Sequence, residues 1–326
     1  MKNFIGVFIF LLIVNFAVPV VYHRVYSNLP SADIYIENTQ NTTKENRYVT
    51  LMDSNTKQIL EIPLKDYLIG AAACEMPALY SEEAIKAQMV AAHSYYLYVE
   101  KHPDWLEKGY ITVDTKNMKG YADSSRLMEF WQMDYYTYYE KFEKCAEEVI
   151  DMVVTYDGQP ALTSYYAVSC GKTADSKDVW GQELPYLVSV DSSQDQISES
   201  YVKVTEIPKD NMYSLLRINY PNIDIDNLDA EQWFGDIIYT ESGYASYVTV
   251  GSDLVPAGQI RDVMKLPSTC LMIFYEDEIF SIATKGYGHG VGLSQFGANS
   301  MATQGKNYQD ILSHYFPGTK VEKLSV

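Results

Sequence analysis

Alternating apolar and polar residues, followed by apolar residues at helical spacing, mark the start of the folded part of the chain. Residues 48–52 and 57–64 alternate on either side of a polar turn, which predicts a β-hairpin. Helical spacing then begins at Leu64, and Pro77 should end this helix because proline cannot continue the backbone ladder. A second helix is predicted from Ser81, with a buried stripe formed by Ile85, Met89, Ala92, Tyr96 and Val99.

The remainder of the chain mixes helical spacing with short strand-like runs. Helices are predicted at 135–152, 211–218 and 294–304, and a last one runs from its cap at Asn307 to Tyr315. A second hairpin is predicted from 153–155 and 161–168 around Asp157-Gly158. Further strands are predicted at 246–250, 270–275 and 279–283. Helices interspersed with antiparallel hairpins indicate an α+β fold, which we expect to be one large body with two lobes.

The N-terminus carries an apolar run of 19 residues, 4–22, interrupted by Asn15 and Pro19. As a helix it is roughly 28 Å long, about the thickness of the hydrocarbon core of a membrane. A cleaved signal peptide is the alternative, but the run ends without the small residues of a cleavage site, which favours an uncleaved anchor. We therefore expect a transmembrane signal anchor at 1–26, a polar linker at 27–47 and an extracytoplasmic domain at 48–326, so that the protein is a single-pass protein of the cell membrane.

Composition narrows the choice of partners. The chain has 25 basic and 43 acidic residues, a formal net charge of −18, so its surface repels phosphate backbones and nucleic-acid binding is not expected. Four cysteines are too few for a disulfide scaffold. The cysteines form no C-x-x-C pair and the histidines no H-x-x-x-H pair, so neither a metal nor another cofactor is expected.

Glu75 is the foremost candidate for chemistry. It follows Ala71-Ala72-Ala73-Cys74 at the end of the first predicted helix and precedes Met76-Pro77. Apolar surroundings disfavour the charged form of a carboxyl group and raise its pKa, as a general acid requires near neutral pH. A solvated glutamate at a helix end remains the plainer interpretation.

Two further features accompany this glutamate. Lys86 and His93 are seven residues apart on the second helix and share a face that we expect to be partly exposed, with any cation directed toward a substrate. Residues 285–297 contain five glycines and straddle a predicted helix start. Too little chain follows for a dinucleotide-binding βαβ unit, which leaves two interpretations: a turn that presents His289, Ser294 and Gln295, or glycines needed only for packing.

These segments resemble the stage II sporulation protein D family of lytic transglycosylases, also called the amidase-enhancer family. The likeness extends over most of residues 48–320 and is carried by two long blocks. The first block contains Leu64-Lys65-Asp66-Tyr67-Leu68-Ile69-Gly70, Glu75-Met76-Pro77 and Glu83-Ala84-Ile85-Lys86-Ala87-Gln88. The second contains Gly286-Tyr287-Gly288-His289-Gly290-Val291-Gly292-Leu293-Ser294-Gln295-Phe296-Gly297-Ala298 and Ile311-Leu312-Ser313-His314-Tyr315-Phe316-Pro317-Gly318-Thr319.

The resemblance implies specific roles for residues of this chain. Glu75 matches the catalytic glutamate of the family. The expected substrate-binding residues are Lys86, His93, Tyr165, Ser169, His289, Ser294 and Gln295. The chain also departs from the family, which usually has Arg-Thr in place of His93-Ser94, Tyr-His-Ser in place of Tyr165-Tyr166-Ala167, and a glycine pair in place of Cys170-Gly171. Histidine lacks the fixed donor fork of arginine, so these departures put full activity in question.

The function implied by the resemblance is cleavage of the bond between N-acetylmuramic acid and N-acetylglucosamine in peptidoglycan glycan strands, with formation of a 1,6-anhydro ring, during the engulfment stage of sporulation. Expected partners are a cell-wall amidase and membrane proteins of the sporulation machinery. The alternative is a non-catalytic wall-binding subunit that enhances a partner amidase and does not need Glu75.

Overall fold

The computed structural model describes residues 47–102 and 110–324, and the predicted α+β class is confirmed there. The helices of these ranges are α1 (Leu64–Glu75), α2 (Glu82–Lys101), α3 (Ser124–Trp131), α4 (Tyr135–Val149), α5 (Ser176–Trp180), α6 (Lys209–Asn219), α7 (Ala257–Met264), α8 (Gln295–Thr303) and α9 (Tyr308–Tyr315). Three short 3₁₀ turns lie at Gln132–Asp134, Ser193–Ile197 and Ala230–Gln232.

The strands form five small sheets in the described part of the chain. They are β1 (Tyr48–Asp53), β2 (Ile59–Pro63), β3 (Ile111–Val113), β4 (Met152–Tyr156), β5 (Gln159–Pro160), β6 (Tyr165–Tyr166), β7 (Val202–Pro208), β8 (Phe234–Tyr239), β9 (Ala245–Val250), β10 (Asp253–Pro256), β11 (Leu271–Glu276), β12 (Ile279–Lys285), β13 (Leu293–Ser294) and β14 (Lys320–Lys323). The strand orders are β2-β1-β3, β14-β4-β5, β11-β12-β7, β10-β9-β8 and β13-β6. The β1–β3 and β13–β6 pairs are parallel, and the other pairs are antiparallel.

Buried apolar side chains form two clusters. The larger surrounds α2, whose five predicted stripe residues are all buried, and it also takes in α1, α4, α9 and the segment around Val291. The smaller lies between the β11-β12-β7 and β10-β9-β8 sheets and helices α6 and α7, with Trp233 stacked on Phe280 at 5.6 Å between ring centroids. The active-site candidates lie in and beside the larger cluster.

Most predicted elements are confirmed, with one clear exception. The hairpin at 48–64, both helices that flank Pro77, and the Asn307-capped last helix occur as expected. The second hairpin turns at Asp157-Gly158 as predicted, but its return strand is β5, Gln159–Pro160, and the predicted return strand at 161–168 is wrong. Residues 165–166 pair instead with β13, far along the chain, and local alternation carries no information about so distant a partner.

The predicted signal anchor at 1–26 and nearly all of the predicted linker lie outside the described residues. Within the described ranges, none of the helices is both long enough and apolar enough to span a bilayer.

Gly297 in α8 provides a test of how closely this helix is packed. A Cβ atom at this position would lie 2.0 Å from the Tyr315 hydroxyl and 2.7 Å from Ser192 Oγ. We expect Gly297→Ala to lower the free energy of unfolding by about 2–3 kcal/mol, because both neighbours are buried and cannot move away without disturbing the core. Urea denaturation measures the change.

Gly258 in α7 is the matched control, since a Cβ atom there would have no neighbour within 4 Å. We expect Gly258→Ala to be neutral or to stabilise the protein by about 0.5–1 kcal/mol through its higher helix propensity. Equal effects of the two substitutions would contradict the close packing described for α8.

Candidate active site

Glu75 is the last residue of α1, at the point where the backbone becomes extended at Met76 and Pro77 ends the helix. Its side chain is largely enclosed. Burial raises the pKa of its carboxyl group, and a hydrogen bond from Gln295 opposes the rise. The sequence-based expectation of a carboxyl group with a raised pKa therefore agrees with the structure in direction and in cause.

Gln295 is held over this carboxyl group by the start of α8. Its Nε2 donates to Glu75 Oε2 at 3.4 Å and lies 3.5 Å from Gln88 Oε1 on α2. The preceding residue, Ser294, caps the helix by accepting a hydrogen bond from the Gly297 N–H at 3.3 Å. The cap fixes the backbone from which the Gln295 side chain reaches Glu75.

A surface cavity of about 310 Å³ opens beside Glu75 and Gln295. Its other lining residues are Pro77, Tyr80, Ala167, Val168, Ser198, Ser200 and Tyr287. Glu75 contributes the one carboxylate among the described residues that line this cavity. A single acid beside an open, partly aromatic cavity is an arrangement suited to proton transfer to a bound neutral ligand.

The glycine-rich segment forms one side of this region because it lies directly on residues 164–169. Leu293 N–H donates to Ser164 O at 3.0 Å, and Val168 and Tyr287 exchange two backbone hydrogen bonds of 3.0 and 2.7 Å. At Gly288, with φ 124°, an added Cβ would lie 2.5 Å from the Cβ of Tyr166. The glycines therefore permit close backbone packing. That the segment also presents His289, Ser294 and Gln295 to a substrate stays a prediction.

His289 is locked in the neutral form by two backbone contacts. Its Nδ1 accepts from the Val291 N–H at 3.1 Å, so Nε2 carries the proton and donates to Tyr165 O at 3.1 Å. Burial lowers the pKa of His289 to about 4. Because both ring nitrogens are engaged, the histidine holds the glycine segment in place and offers its ring face to the surroundings.

A second cavity, of about 250 Å³, is lined by Tyr95, Leu162, Ser164, Tyr165, Trp180 and His289. The segment that contains Tyr165 also supplies Ala167 and Val168 to the first cavity. Burial raises the pKa of Tyr165 well above its usual range, and the Glu75 carboxylate adds to the rise. The Tyr165 phenol is therefore neutral, and it lines the cavity next to that of Glu75.

Asp195 is a central residue that the sequence analysis missed. It is fully buried, and its Oδ2 accepts hydrogen bonds from the Ser169 N–H and Ser294 Oγ, both at 2.6 Å, and from Ser192 Oγ at 3.2 Å. Burial raises the pKa of Asp195, and these donors oppose the rise. The residue lies in a polar, serine-rich stretch, so no local signal distinguished it from a surface aspartate.

The structure places Ser169 and Ser294 around this aspartate. Both side chains are buried, and the Ser169 Oγ accepts from the Gly171 N–H at 3.0 Å. Of the seven predicted substrate-binding residues, Gln295 lines the Glu75 cavity, and Tyr165 and His289 line the second one. Ser169 and Ser294 support the site from inside the protein.

The prediction that Lys86 and His93 share a partly exposed face is wrong. The Lys86 side chain is 8% exposed, and its Nζ lies 2.8 Å from Glu83 Oε1 and 2.5 Å from Glu148 Oε2 on α4. His93 is buried and donates from Nδ1 to Met152 O at 3.1 Å, and burial lowers its pKa to about 4, so it carries no positive charge at neutral pH. From Ala84 to Val99, every residue of α2 except Tyr95 and Leu97 is buried, which its apolar stripe alone did not reveal.

Comparison with known proteins supports the resemblance seen in the sequence. Residues 52–156 match the family model described as stage II sporulation protein. The chain is 29% identical over 270 residues to stage II sporulation protein D of Bacillus subtilis (strain 168), covering 82% of this chain and 76% of that protein. It is 29% identical over 278 residues to the protein of that name from Bacillus amyloliquefaciens, covering 84% and 78%.

A more distant relative carries a different name. The amidase enhancer of Bacillus subtilis (strain 168) is 24% identical over 299 residues, covering 77% of this chain and 40% of that protein. The resemblance to the stage II sporulation protein D family is confirmed by these matches together.

The position of Lys86 leads to a testable prediction. Replacing it by methionine leaves Glu83 and Glu148 without their shared cation, so we expect Lys86→Met to lower the free energy of unfolding by about 1–3 kcal/mol. The control is Lys144→Met, because Lys144 pairs with Glu82 at 3.1 Å with both side chains well exposed, and we expect a change below about 1 kcal/mol.

Urea denaturation of the two variants measures both changes. If Lys86→Met kept full stability and instead lost affinity for glycan, the internal role of this lysine would be contradicted in favour of direct substrate contact.

Proposed function

We propose that this protein is a membrane-anchored lytic transglycosylase that cleaves the MurNAc–GlcNAc bond of peptidoglycan glycan strands during sporulation. The observation that carries the proposal is the Glu75 carboxyl group, enclosed enough to have a raised pKa and yet open to a cavity of about 310 Å³. The similarity to stage II sporulation protein D supplies the substrate class. Attachment through residues 1–26 belongs to the proposal.

In the proposed reaction, protonated Glu75 donates its proton to the glycosidic oxygen as the C1–O bond breaks and the muramoyl ring gains oxocarbenium character. The resulting Glu75 carboxylate then accepts the proton of the muramoyl C6 hydroxyl, whose oxygen attacks C1 and closes the 1,6-anhydro ring. The proton that leaves Glu75 in the first step is thus replaced in the second. Gln295, which donates to the carboxylate, stabilises its charged form between the steps.

The number of carboxylates that line the cavity favours this reaction over hydrolysis. Glycoside hydrolases use a second carboxylate, either to activate water or to attack the sugar. Glu75 is the one carboxylate among the described residues that line the cavity. A transglycosylase of this kind needs no second carboxylate because its nucleophile belongs to the substrate.

Aromatic side chains at both cavities are suited to contact with sugar rings. Tyr287 at the first cavity is 52% exposed, and Trp180 at the second is 37% exposed, with its ring centroid 5.6 Å from that of His289. Their exposed rings can pack on the apolar faces of sugars while polar edges stay solvated. Because the chain carries a net charge of −18, binding to an anionic wall must depend on such local contacts.

A second function, wall binding that enhances a partner amidase, is favoured by two observations. One is the similarity to a protein named amidase enhancer. The other is the buried, uncharged His93 in place of the arginine usual in the family. The two functions differ in whether Glu75 is needed.

We expect Glu75→Gln to lower the rate of glycan cleavage by at least about 100-fold, because glutamine keeps the shape of the side chain and cannot transfer the proton. Mass spectrometry of digested glycan strands measures the appearance of products that end in 1,6-anhydro-MurNAc. Glu82→Gln is the control. Glu82 lies in the first turn of α2 and pairs with Lys144 of α4, so this variant should keep full activity.

Thermal denaturation should show that both glutamine variants remain folded. Equal yields of anhydro-ended products from the wild type and Glu75→Gln, or no such products from either protein, would sink the catalytic proposal and leave the amidase-enhancing function.

The pH dependence of the reaction tests the contact between Gln295 and Glu75. The active form of Glu75 is protonated, so the rate should fall as the pH rises through its pKa. Gln295→Leu removes a donor that stabilises the carboxylate, which raises the pKa further and should move this fall to higher pH by about half a unit to one unit.

Gln304→Leu is the matched control, because Gln304 is exposed at the far end of α8 and donates only to Ser300 Oγ among the contacts described for its side chain. Its pH profile should equal that of the wild type. A profile of Gln295→Leu that is unchanged, or moved to lower pH, contradicts the assigned contact.

A further inference from the structure

Two of the four cysteines lie next to each other although about 100 residues separate them in the chain. Cys170 follows the Ala167-Val168 wall of the Glu75 cavity, and Cys270 immediately precedes β11. Both side chains are partly exposed. The Cys170 thiol donates to Ser242 O at 3.5 Å and interacts with the Cys270 thiol beside it. Neither cysteine has a part in the proposed proton transfer.

The backbone around Lys285 and Gly286 brings the two cysteines together. Lys285 N–H donates to Cys270 O at 2.8 Å. Gly286, with φ 79°, packs so closely on the other cysteine that a Cβ atom at this glycine would lie 3.0 Å from the Cys170 nitrogen. Strand pairing with Lys285 therefore positions Cys270, and the close contact with Gly286 positions Cys170.

Further hydrogen bonds hold the backbone of Cys170. Its N–H donates to the Tyr244 hydroxyl at 3.3 Å, and its carbonyl accepts from the Tyr201 hydroxyl at 3.0 Å. Tyr244 in turn donates to Lys172 O at 3.1 Å. The Cys170 side chain is thus presented from a fixed backbone, which lowers the entropic cost of joining it to a neighbour.

The electrostatics of the pair favour reaction at Cys170. The hydrogen bond from Cys270 lowers the pKa of the Cys170 thiol to about 7, whereas the same bond and burial raise the pKa of Cys270. Cys170 therefore loses its proton more readily than Cys270, and the thiolate is the form that attacks a disulfide. In contrast, burial raises the pKa of both Cys74 and Cys145.

We propose that Cys170 and Cys270 are a site of disulfide formation, and that the bond braces the wall of the Glu75 cavity against the β11-β12-β7 sheet. The oxidant is a disulfide, either a small one such as oxidised glutathione or that of a thiol–disulfide oxidoreductase. An extracytoplasmic location, as proposed above, is where such bonds form and persist.

The reaction proceeds by two thiol–disulfide exchanges. Cys170 thiolate attacks one sulfur of the oxidant, forms a mixed disulfide and releases the first thiolate. Cys270 loses its proton and attacks the Cys170 sulfur, which releases the second thiolate and leaves the Cys170–Cys270 bond. The two cysteines lose two electrons and two protons, and the oxidant gains both as two thiols.

The test uses the full-length chain purified in detergent and first reduced. The protein is equilibrated with oxidised and reduced glutathione, free thiols are alkylated, and the peptides are mapped by mass spectrometry. We expect one cross-linked pair, Cys170 with Cys270, and alkylated Cys74 and Cys145. Cys170→Ser should abolish the cross-link, whereas Cys74→Ser, which removes another partly exposed thiol, should leave it intact.

A second readout needs no substitution. Closing a loop of about 100 residues should raise the Tm of the oxidised wild type by about 5–10 °C over the reduced wild type. Glutathione attached to Cys170 or Cys270 without a cross-link, or a cross-link that includes Cys74 or Cys145, overturns the proposal. A Cys170–Cys270 bond with no rise in Tm overturns the bracing role. None of these readouts depends on glycan cleavage, so the result is independent of the proposed function.

Discussion

The candidate site depends on one steric condition: the glycines of residues 286–292 let the backbone of this segment lie directly on residues 164–170. Gly292 meets this condition at its closest point, where an added Cβ would be 2.2 Å from Ser164 O. The contact sets the path of the chain into β13 and α8, and therefore where Gln295 meets Glu75. It also places Gly286 on Cys170. A chain with larger residues at these positions could not bring the acid, its hydrogen-bond donor and the cavity wall together.

Burial of ionisable groups is the second feature that defines the region. Burial raises the pKa of Glu75 and Asp195 and lowers that of His93 and His289. In each case the neutral form is favoured. For His289 the two backbone contacts also decide which nitrogen carries the proton. Enclosure therefore acts in the same sense on all four groups, and for Glu75 it favours the protonated form that proton donation requires.

The acid and its supports come from parts of the chain that lie far apart. Glu75 ends α1, Gln295 begins α8, and Asp195 lies in a 3₁₀ turn between them in sequence. Asp195 contacts the site through Ser294: its Oδ2 accepts a hydrogen bond from Ser294 Oγ, and Ser294 caps α8. The support of the candidate acid is thus a chain of neutral and charged hydrogen bonds, and each member is buried enough for a lost partner to be costly.

The sequence by itself determined those features that depend on neighbours along the chain. The apolar stretch before Glu75 and the proline after it predicted both the helix end and the raised pKa, and Asn307 predicted the start of the last helix. Only the tertiary structure decided which helix faces are covered, so Lys86 and His93 are internal although their spacing indicated a partly exposed face. Only it revealed Asp195, the parallel pairing of residues 165–166 with β13, and the contact of Cys170 with Cys270. The reason is physical: periodicity and capping report local backbone preferences, whereas burial and the partners of a side chain are set by segments that local sequence does not encode.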